Sequence, residues 1–432
     1  MSGRRWSGAL VALSLTAVAA TGCGSSNNSS SDTASAKTTA AAASTTASTQ
    51  AAAPSADVLG TPDKATGKPI TLGLLNLESG PVTFPEYRQA AQLAVKYINE
   101  YEGGIGGRPV KLVTCATDGQ PATSGRCANQ IADDHPTAIL GGADTGAPGA
   151  FPVWERKHLA YMGGIPFTPV ESNAPNAVQF YSVSVGDNAA MVQYATEKLG
   201  VKKASVIYTD DSQGKATGLG VIVPAFKAAG SEVKAIPVAP SAADLSSAAA
   251  AAISSSPDAV YVNTPNACPA VLKALKAVGY SGKLMGIDPC TSPQALKAAG
   301  SSAEGLYFAQ PFESLDSGTP GANLMMAAIN KYGGSDIALD SIAQAGFSSV
   351  MNVQAALNGV SDLNEKNILA AFKDGKSHDN FLAHPYTCDG KQLAGNTAVC
   401  NAYQLIKQIK GGKVTTVDGQ WVTGAALYKP KS

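Results

Sequence analysis

Nine short apolar runs, separated by stretches with helical spacing, constrain this chain more than any other feature. They are ITLGLLNL from Ile70, then VKLVT, AILGG, LAYMGG, ASVIYTD, VKAIPV, AVYVN, KLMGI and GLYFA. Runs this short, bounded by turn residues, read as strands, and strands alternating with helical patterns require parallel crossovers. Between the first two, Tyr87, Ala90, Ala91, Ala94, Ile98 and Tyr101 recur at helical spacing and form one apolar stripe to lay against a sheet. AMVQYATEKLG, LGVIVPAFKAAG, AVLKALKAVG and NLMMAAINKYGG follow the same scheme. Each ends in Gly, which suits the positive φ at a helix C-terminus. The expected fold class is α/β, with open doubly wound sheets. One sheet cannot hold so many units, so two lobes are expected, meeting near Ser182 to Asp187. The second lobe starts at Lys203. The helix-rich segment from Gln310 to Leu357 can return to the first lobe, and AYQLIKQIKGGKVTTV alternates like a hairpin around Gly411 and Gly412. In open α/β sheets, ligands lie at the carboxyl ends of the strands.

The N-terminus carries Arg4 and Arg5 ahead of an apolar run from Ala9 to Ala20, the pattern of an export signal. The run falls short of the roughly 18 to 20 residues needed to cross a bilayer. Ala20-Thr21-Gly22-Cys23 resembles a bacterial lipobox, with cleavage before Cys23 and diacylglycerol on its sulfur; the other reading is an ordinary cleaved signal with a stray cysteine. Lipidation would anchor the chain on the outer face of the cytoplasmic membrane. From Gly24 to Ala56, 26 of 33 residues are Ser, Thr or Ala, with no aromatic residue and no Val, Ile, Leu or Met. Such a segment buries too little apolar surface to order itself and is expected to act as a flexible tether reaching roughly 30 Å.

Lys plus Arg equals Asp plus Glu at 32 each, so no overall positive field exists to hold a nucleic acid. GGIGGRP, from Gly103 to Pro109, lacks the last glycine of a dinucleotide fingerprint and the Lys-Ser/Thr of a P-loop. No GxSxG elbow occurs, and no motif groups a Ser, His and Asp, so catalysis has no candidate residues. Neither a metal nor another cofactor is expected. Asp133 and Asp134 read as a solvated face.

KPITLGLLNLESGP, NEYEGGIGGRPVKLVTCATDGQPATSGRCANQI, AILGGADTGAPGAFPVWERKHLAYM, ASVIYTDDSQGKATG, SPDAVYVN, KLMGIDPC and AEGLYFAQPF occur in this order. Together they resemble the leucine/isoleucine/valine-binding family of periplasmic binding proteins that serve ABC importers, over nearly all of Ile70 to about Val417. The resemblance implies a two-lobe clamshell with a three-strand hinge, closing on a small solute and presenting it to a membrane permease with its ATPase. The expected division is a signal peptide (1–22), a lipid-anchored linker (23–68), lobe 1 (69–185 and 311–383) and lobe 2 (186–310 and 384–421). The chain is expected to act as a monomer.

With Cys23 assigned to lipid, six cysteines remain, and an exported domain retains disulfides. Fifteen pairings are possible. Proximity in sequence suggests Cys115 with Cys127, Cys268 with Cys290, and Cys388 with Cys400, and family members also carry a disulfide at the first place. Zinc is disfavoured because no CxxC pair exists and the four histidines show no ligand spacing beside a cysteine.

Candidate ligand contacts follow the strand ends. In AILGGADTGAPG, Asp144 and Thr145 lie at a helix start, where free N–H groups favour an anion; the resemblance implies an α-carboxylate there, on the Thr145 hydroxyl. Either residue can instead simply cap the helix. MGGIPFTPVES supplies Ile165, Phe167 and Thr168, with Phe167 standing where the family has a Thr, which suits a flatter or more apolar solute. Asp288 in LMGIDPC matches a family acid that accepts the ligand ammonium, although a turn Asp before Pro289 is the competing reading. Gln213 replaces a family Tyr, and so does the Asn263 to Asn266 region. Phe84 either lines the cleft or packs in the core. The expected function is solute capture for an ABC importer, with branched-chain amino acids as the first ligand class. The alternatives are a ligand-sensing module for signalling and a binder of small aromatic acids or amides.

Overall fold

The computed structural model describes residues 56–80 and 82–430. The expected signal, Cys23 and the expected linker up to residue 55 lie outside these residues. Lobe 1 is built on a parallel sheet of β1 (Ile70–Leu77), β2 (Val110–Thr117), β3 (Ala138–Ala143), β4 (Tyr161–Ile165) and β5 (Ala177–Val178), in the order β2-β1-β3-β4-β5. Lobe 2 holds β6 (Lys203–Thr209), β7 (Glu232–Val238), β8 (Ala259–Asn263), β9 (Lys283–Gly286) and β10 (Tyr307–Gln310). A two-stranded ribbon, β11 (His378–Asn380) with β12 (Ala383–Tyr386), follows. The hairpin β13 (Tyr403–Lys410) and β14 (Lys413–Thr423) turns at Gly411 and Gly412, as its alternation predicts, and adds antiparallel to β10. The second sheet therefore runs β14-β13-β10-β9-β8-β6-β7.

Both sheets are covered on both faces, which is why their strands read as continuous apolar runs. On one face of the first sheet, Leu72, Leu74 and Leu140 meet Tyr87, Ala90 and Ala94 of helix Pro85–Tyr101 and Phe347, Val350 and Val353 of helix Ser341–Leu357. On the other, Leu75 and Ile139 meet Ile131, Phe151 and Trp154 from helices Pro121–Asp133 and Ala147–Arg156. In lobe 2, Ile207, Val260 and Phe308 face one core, and Val206, Tyr261 and Ile406 face another. The four glycines expected to end helices all have positive φ: Gly200 at 68°, Gly230 at 81°, Gly279 at 75° and Gly333 at 76°. Leu219 to Gly230 departs from a simple helix, because a π-helical turn, Gly218–Ile222, precedes the helix Val223–Ala228 that contains Pro224. Proline has no N–H to continue a regular ladder from the preceding turn.

The chain passes between the lobes three times: after β5, after β10 and before β13. At the first crossing, Ser184 lies at φ 62°, ψ −60°, and Val185 N donates to Val183 O at 2.7 Å. This is a γ-turn of the rare, strained hand. The expected boundary at 383/384 falls between residues whose side chains pack in lobe 1: Leu382, Tyr386, Cys388 and Cys400 all belong to its core, so the last crossing comes at 401–403. The start of lobe 1 also differs from the expected 69. Leu59 and Ala65 are buried, and Ala65 N donates to Asn99 O, because Val58 and Leu59 are the first large apolar side chains after the Ser/Thr/Ala stretch. The disulfides are Cys115–Cys127, Cys268–Cys290 and Cys388–Cys400, the three expected pairs.

Candidate ligand site in the interlobe cleft

The carboxyl ends of β1, β3 and β4 from one lobe and of β6, β8 and β9 from the other carry the candidate residues. Phe84, which precedes helix Pro85–Tyr101, stacks on Phe167 beyond β4, with centroids 5.5 Å apart and planes at 27°. Both rings are half-buried and pack against the lobe 1 core, so together they form an apolar surface with part of each ring exposed. Ile165 ends β4 within the lobe 1 core. Thr168 is held in a capping arrangement: its N–H and hydroxyl both donate to Glu171 Oε2, at 2.9 and 2.8 Å. Tyr161 donates to the other oxygen of Glu171, and burial pushes the Glu171 carboxyl up to about 8.

Asp144 is buried and already partnered. Its Oδ1 accepts from Thr117 Oγ1 at 2.7 Å and from Gly146 N at 3.1 Å, and its Oδ2 from Ser124 Oγ at 2.7 Å. The anion at this helix start is thus the chain's own carboxylate. Thr145 is exposed beside it and donates to Gly119 O at 3.2 Å. From lobe 2, Gln213 is exposed at the start of helix Ser212–Thr217. Asp288 lies just past β9 and is half-buried. Thr291 and Gln310 donate to its Oδ1, and Ser341, the first residue of a lobe 1 helix, donates to its Oδ2. The candidates thus gather as a Phe84–Phe167 wall on one lobe and Asp288 on the other, with Thr168 and Asp144 engaged in their own lobe.

Four further charged groups belong to this region. Asp340 caps helix Ser341–Leu357 by accepting from Ile342 N and Ala343 N at 3.0 and 3.1 Å, and burial, aided by Asp288, raises it to about 6. Burial raises Glu86, in the first turn of helix Pro85–Tyr101, to about 7, with Asp340 adding to the effect. Asp187, in the first turn of helix Val185–Glu197, is pushed well up by burial and then by Asp288. Lys407 on β13 is pulled down to about 8 by burial, opposed by Asp288, Asp316 and Glu313. A sequence signal existed for Lys407, since it shares a strand face with Leu405 and Ile409. The three acids gave none, being single carboxylates at helix starts, where solvated caps are common.

No curated protein sequence matches the chain. A family model described as periplasmic binding protein matches residues 69–405. Among solved structures, a possible leucine/isoleucine/valine-binding protein from Rhodopirellula baltica shares 17% identity at a TM-score of 0.69, covering 83% of this chain and 98% of that one. A fatty acid ABC transporter substrate-binding protein from Thermomonospora curvata shares 20% identity at a TM-score of 0.69, covering 84% and 95%. An ABC transporter solute binding protein from Rhodopseudomonas palustris, in complex with 3,4-dihydroxy benzoic acid, shares 20% identity at a TM-score of 0.63, covering 82% and 95%. The similar structures are solute-binding proteins rather than enzymes, and no described helix is long and apolar enough to cross a membrane. With its model matching most of both lobes, the chain belongs to the periplasmic binding protein family, whose leucine/isoleucine/valine-binding branch the sequence motifs resemble.

Proposed function

We propose that the protein captures a small amine-bearing solute between its lobes and hands it to the permease of an ABC importer, with amino acids of the branched-chain type as the first class to test. The observation that carries this reading is the placement of Asp288. It is an acid at a strand end of lobe 2, linked to Ser341 of lobe 1, in a fold whose cleft is lined by strand ends. The anchor at Cys23, the tether after it and a monomeric state belong to the same reading. A carboxylate reading of Thr145 is supported by its exposed hydroxyl and weakened by Asp144 beside it. The stacked Phe84 and Phe167 favour a second reading, a small aromatic acid or amide as cargo.

Native mass spectrometry of the protein purified from its own host, followed by calorimetry with each released compound, tests the capture. A retained small molecule that rebinds, together with a decrease in radius of gyration on binding, is the expected result. A protein that retains nothing and binds no amino acid, aromatic acid or amide would overturn it.

A further inference from the structure

The lobes are joined by more than the three crossings. After β14 the chain runs on through Gly424 to Pro430 and returns to lobe 1. Leu427 packs against a lobe 2 core. Ala425 and Tyr428 instead join Val185, Leu393, Val399 and Ala402 in a small apolar cluster separate from both lobe cores. Leu393 and Val399 lie in the loop closed by Cys388–Cys400, which is fastened to lobe 1 where Ala398 N donates to Ser172 O at 2.8 Å. A Cβ on Gly395 of that loop would stand 2.9 Å from Pro430 Cγ, so the tail lies directly on it. Its other end is as close: a Cβ on Gly424 would stand 2.0 Å from the carbonyl carbon of Ala189, in helix Val185–Glu197.

The same cluster borders the strained turn at the first crossing. Val185 enters it directly after Ser184, whose φ of 62° is a conformation that a residue with a Cβ adopts only at a cost. Strain of this kind persists where the surroundings over-determine it. Here Asn188 Nδ2 donates to Ser184 O, and Tyr261 on β8 fixes Asn188 by donating to its Oδ1 at 2.7 Å. Gln404, just past the last crossing, donates to Ser182 O at 3.0 Å. A Cβ on Gly186 would stand 1.7 Å from Ser182 Oγ, so the path around the turn has no slack. The first crossing, the last crossing and the tail thus meet around one residue whose backbone is under strain.

We propose that the first crossing is a spring held by this cluster, with Tyr428 of the tail as its catch. The lobe arrangement that puts Ser341 against Asp288 carries the strain of Ser184, and a more open arrangement releases it as the hinge residues change φ and ψ. The balance between the two is set outside the cleft, by residues that share none with the candidate ligand site. A protein whose binding-competent arrangement is only partly populated binds more weakly by that fraction, so the tail tunes affinity without touching the solute. The proposal holds whichever solute the cleft takes.

Pulsed electron paramagnetic resonance tests it, with spin labels carried on unnatural amino acids at the exposed positions of Asp133 in lobe 1 and Lys273 in lobe 2. The distance distribution, measured without added solute, gives the ratio of compact to open arrangements. Ser184→Gly, which removes the strain, should raise that ratio about threefold or more, whereas Tyr428→Ala and Leu393→Ala should lower it by about as much. Tyr428→Phe keeps the ring and should leave the ratio unchanged. Adding Ser184→Gly to Tyr428→Ala should bring the ratio back towards the wild type. A residue that only stabilises its own lobe would lower the melting temperature without moving the distances. Thermal melts identify the folded variants, and if the two alanine variants do not fold, Ser184→Gly decides alone. The proposal is overturned if Ser184→Gly opens the lobes or leaves the ratio unchanged, or if folded Tyr428→Ala and Leu393→Ala keep the wild-type distances.

Discussion

Ser341 Oγ donates to Asp288 Oδ2, joining the first residue of a lobe 1 helix to the end of a lobe 2 strand. The link crosses the cleft and is one of the few side-chain contacts there that does not run along a hinge segment. Ser341→Ala should cost about 0.5–1.5 kcal/mol, the net worth of a hydrogen bond whose acceptor keeps other donors. Small-angle scattering should show a larger unliganded radius of gyration. An unchanged radius and melting temperature would show that the link does not hold the lobes together.

Glu171 gives lobe 1 a pH dependence opposite to that of a salt-bridged carboxylate. Its folded-state pKa, about 8, lies above the ordinary 4.5, so the native state keeps a proton that the unfolded chain has lost. The stabilisation is complete below about pH 4.5 and disappears as pH rises towards 8. Glu171→Gln keeps an acceptor for both Thr168 donors, while its amide N–H replaces the acceptor of Tyr161, whose hydroxyl then turns to accept. Its melting temperature should therefore gain on the wild type progressively between pH 5 and pH 8.

Lys407 acts with the opposite sign. With the folded pKa lowered from 10.5 to about 8, the native state loses its proton first, and stability from this group rises with pH between those values. At pH 7 the cost of burying the charge outweighs its attraction to Asp288, Asp316 and Glu313. Lys407→Met should be more stable there by about 1–3 kcal/mol in urea denaturation, with the gain shrinking towards pH 10. A destabilised variant at pH 7 would show that the attraction to Asp288 outweighs burial.

Cys388–Cys400 closes a short loop, with a sequence separation of 12, next to the last crossing. The paired Cys388→Ser, Cys400→Ser variant should lose about 2–4 kcal/mol, chiefly by freeing the unfolded chain. Reductant should then add only the effect of the other two bonds.

Gly346 sits where helix Ser341–Leu357 crosses the start of helix Pro85–Tyr101. A Cβ there would stand 2.1 Å from the Tyr87 carbonyl oxygen. Gly346→Ala must part the two helices and should cost about 1–3 kcal/mol, lowering the thermal midpoint by several degrees.

The architecture was largely legible because strand runs and helix-ending glycines are local signals. Ile70 to Leu77, Gly333 and the Gly411–Gly412 turn each behave as their neighbours in sequence dictate. The lobe boundary was less so: Leu382 and Tyr386 look no different from strand residues of either lobe until the three crossings fix which core they enter. The site was read in part. Phe84, Phe167 and Asp288 stand at strand ends, which a sequence shows; whether Asp144 faces a ligand or its own Thr117 and Ser124 depends on side-chain directions from β2 and a second helix. Asp340 matters through its effect across the cleft on Asp288, a relationship that exists only once the lobes meet.

Because the chain crosses between lobes three times, lobe 1 is not finished when its own sheet is. Leu72, Leu74 and Leu140 wait for Phe347, Val350 and Val353, which follow the whole βα series of lobe 2 in the chain. A polypeptide emerging from its N-terminus therefore presents one apolar sheet face only partly covered, by helix Pro85–Tyr101, while the stretch from Val178 to Ser341 is made. Long-range closure of this kind slows folding and exposes the nascent chain to aggregation. The same threading that makes a hinge thus makes the two lobes inseparable as folding units: neither half of the gene encodes a complete lobe.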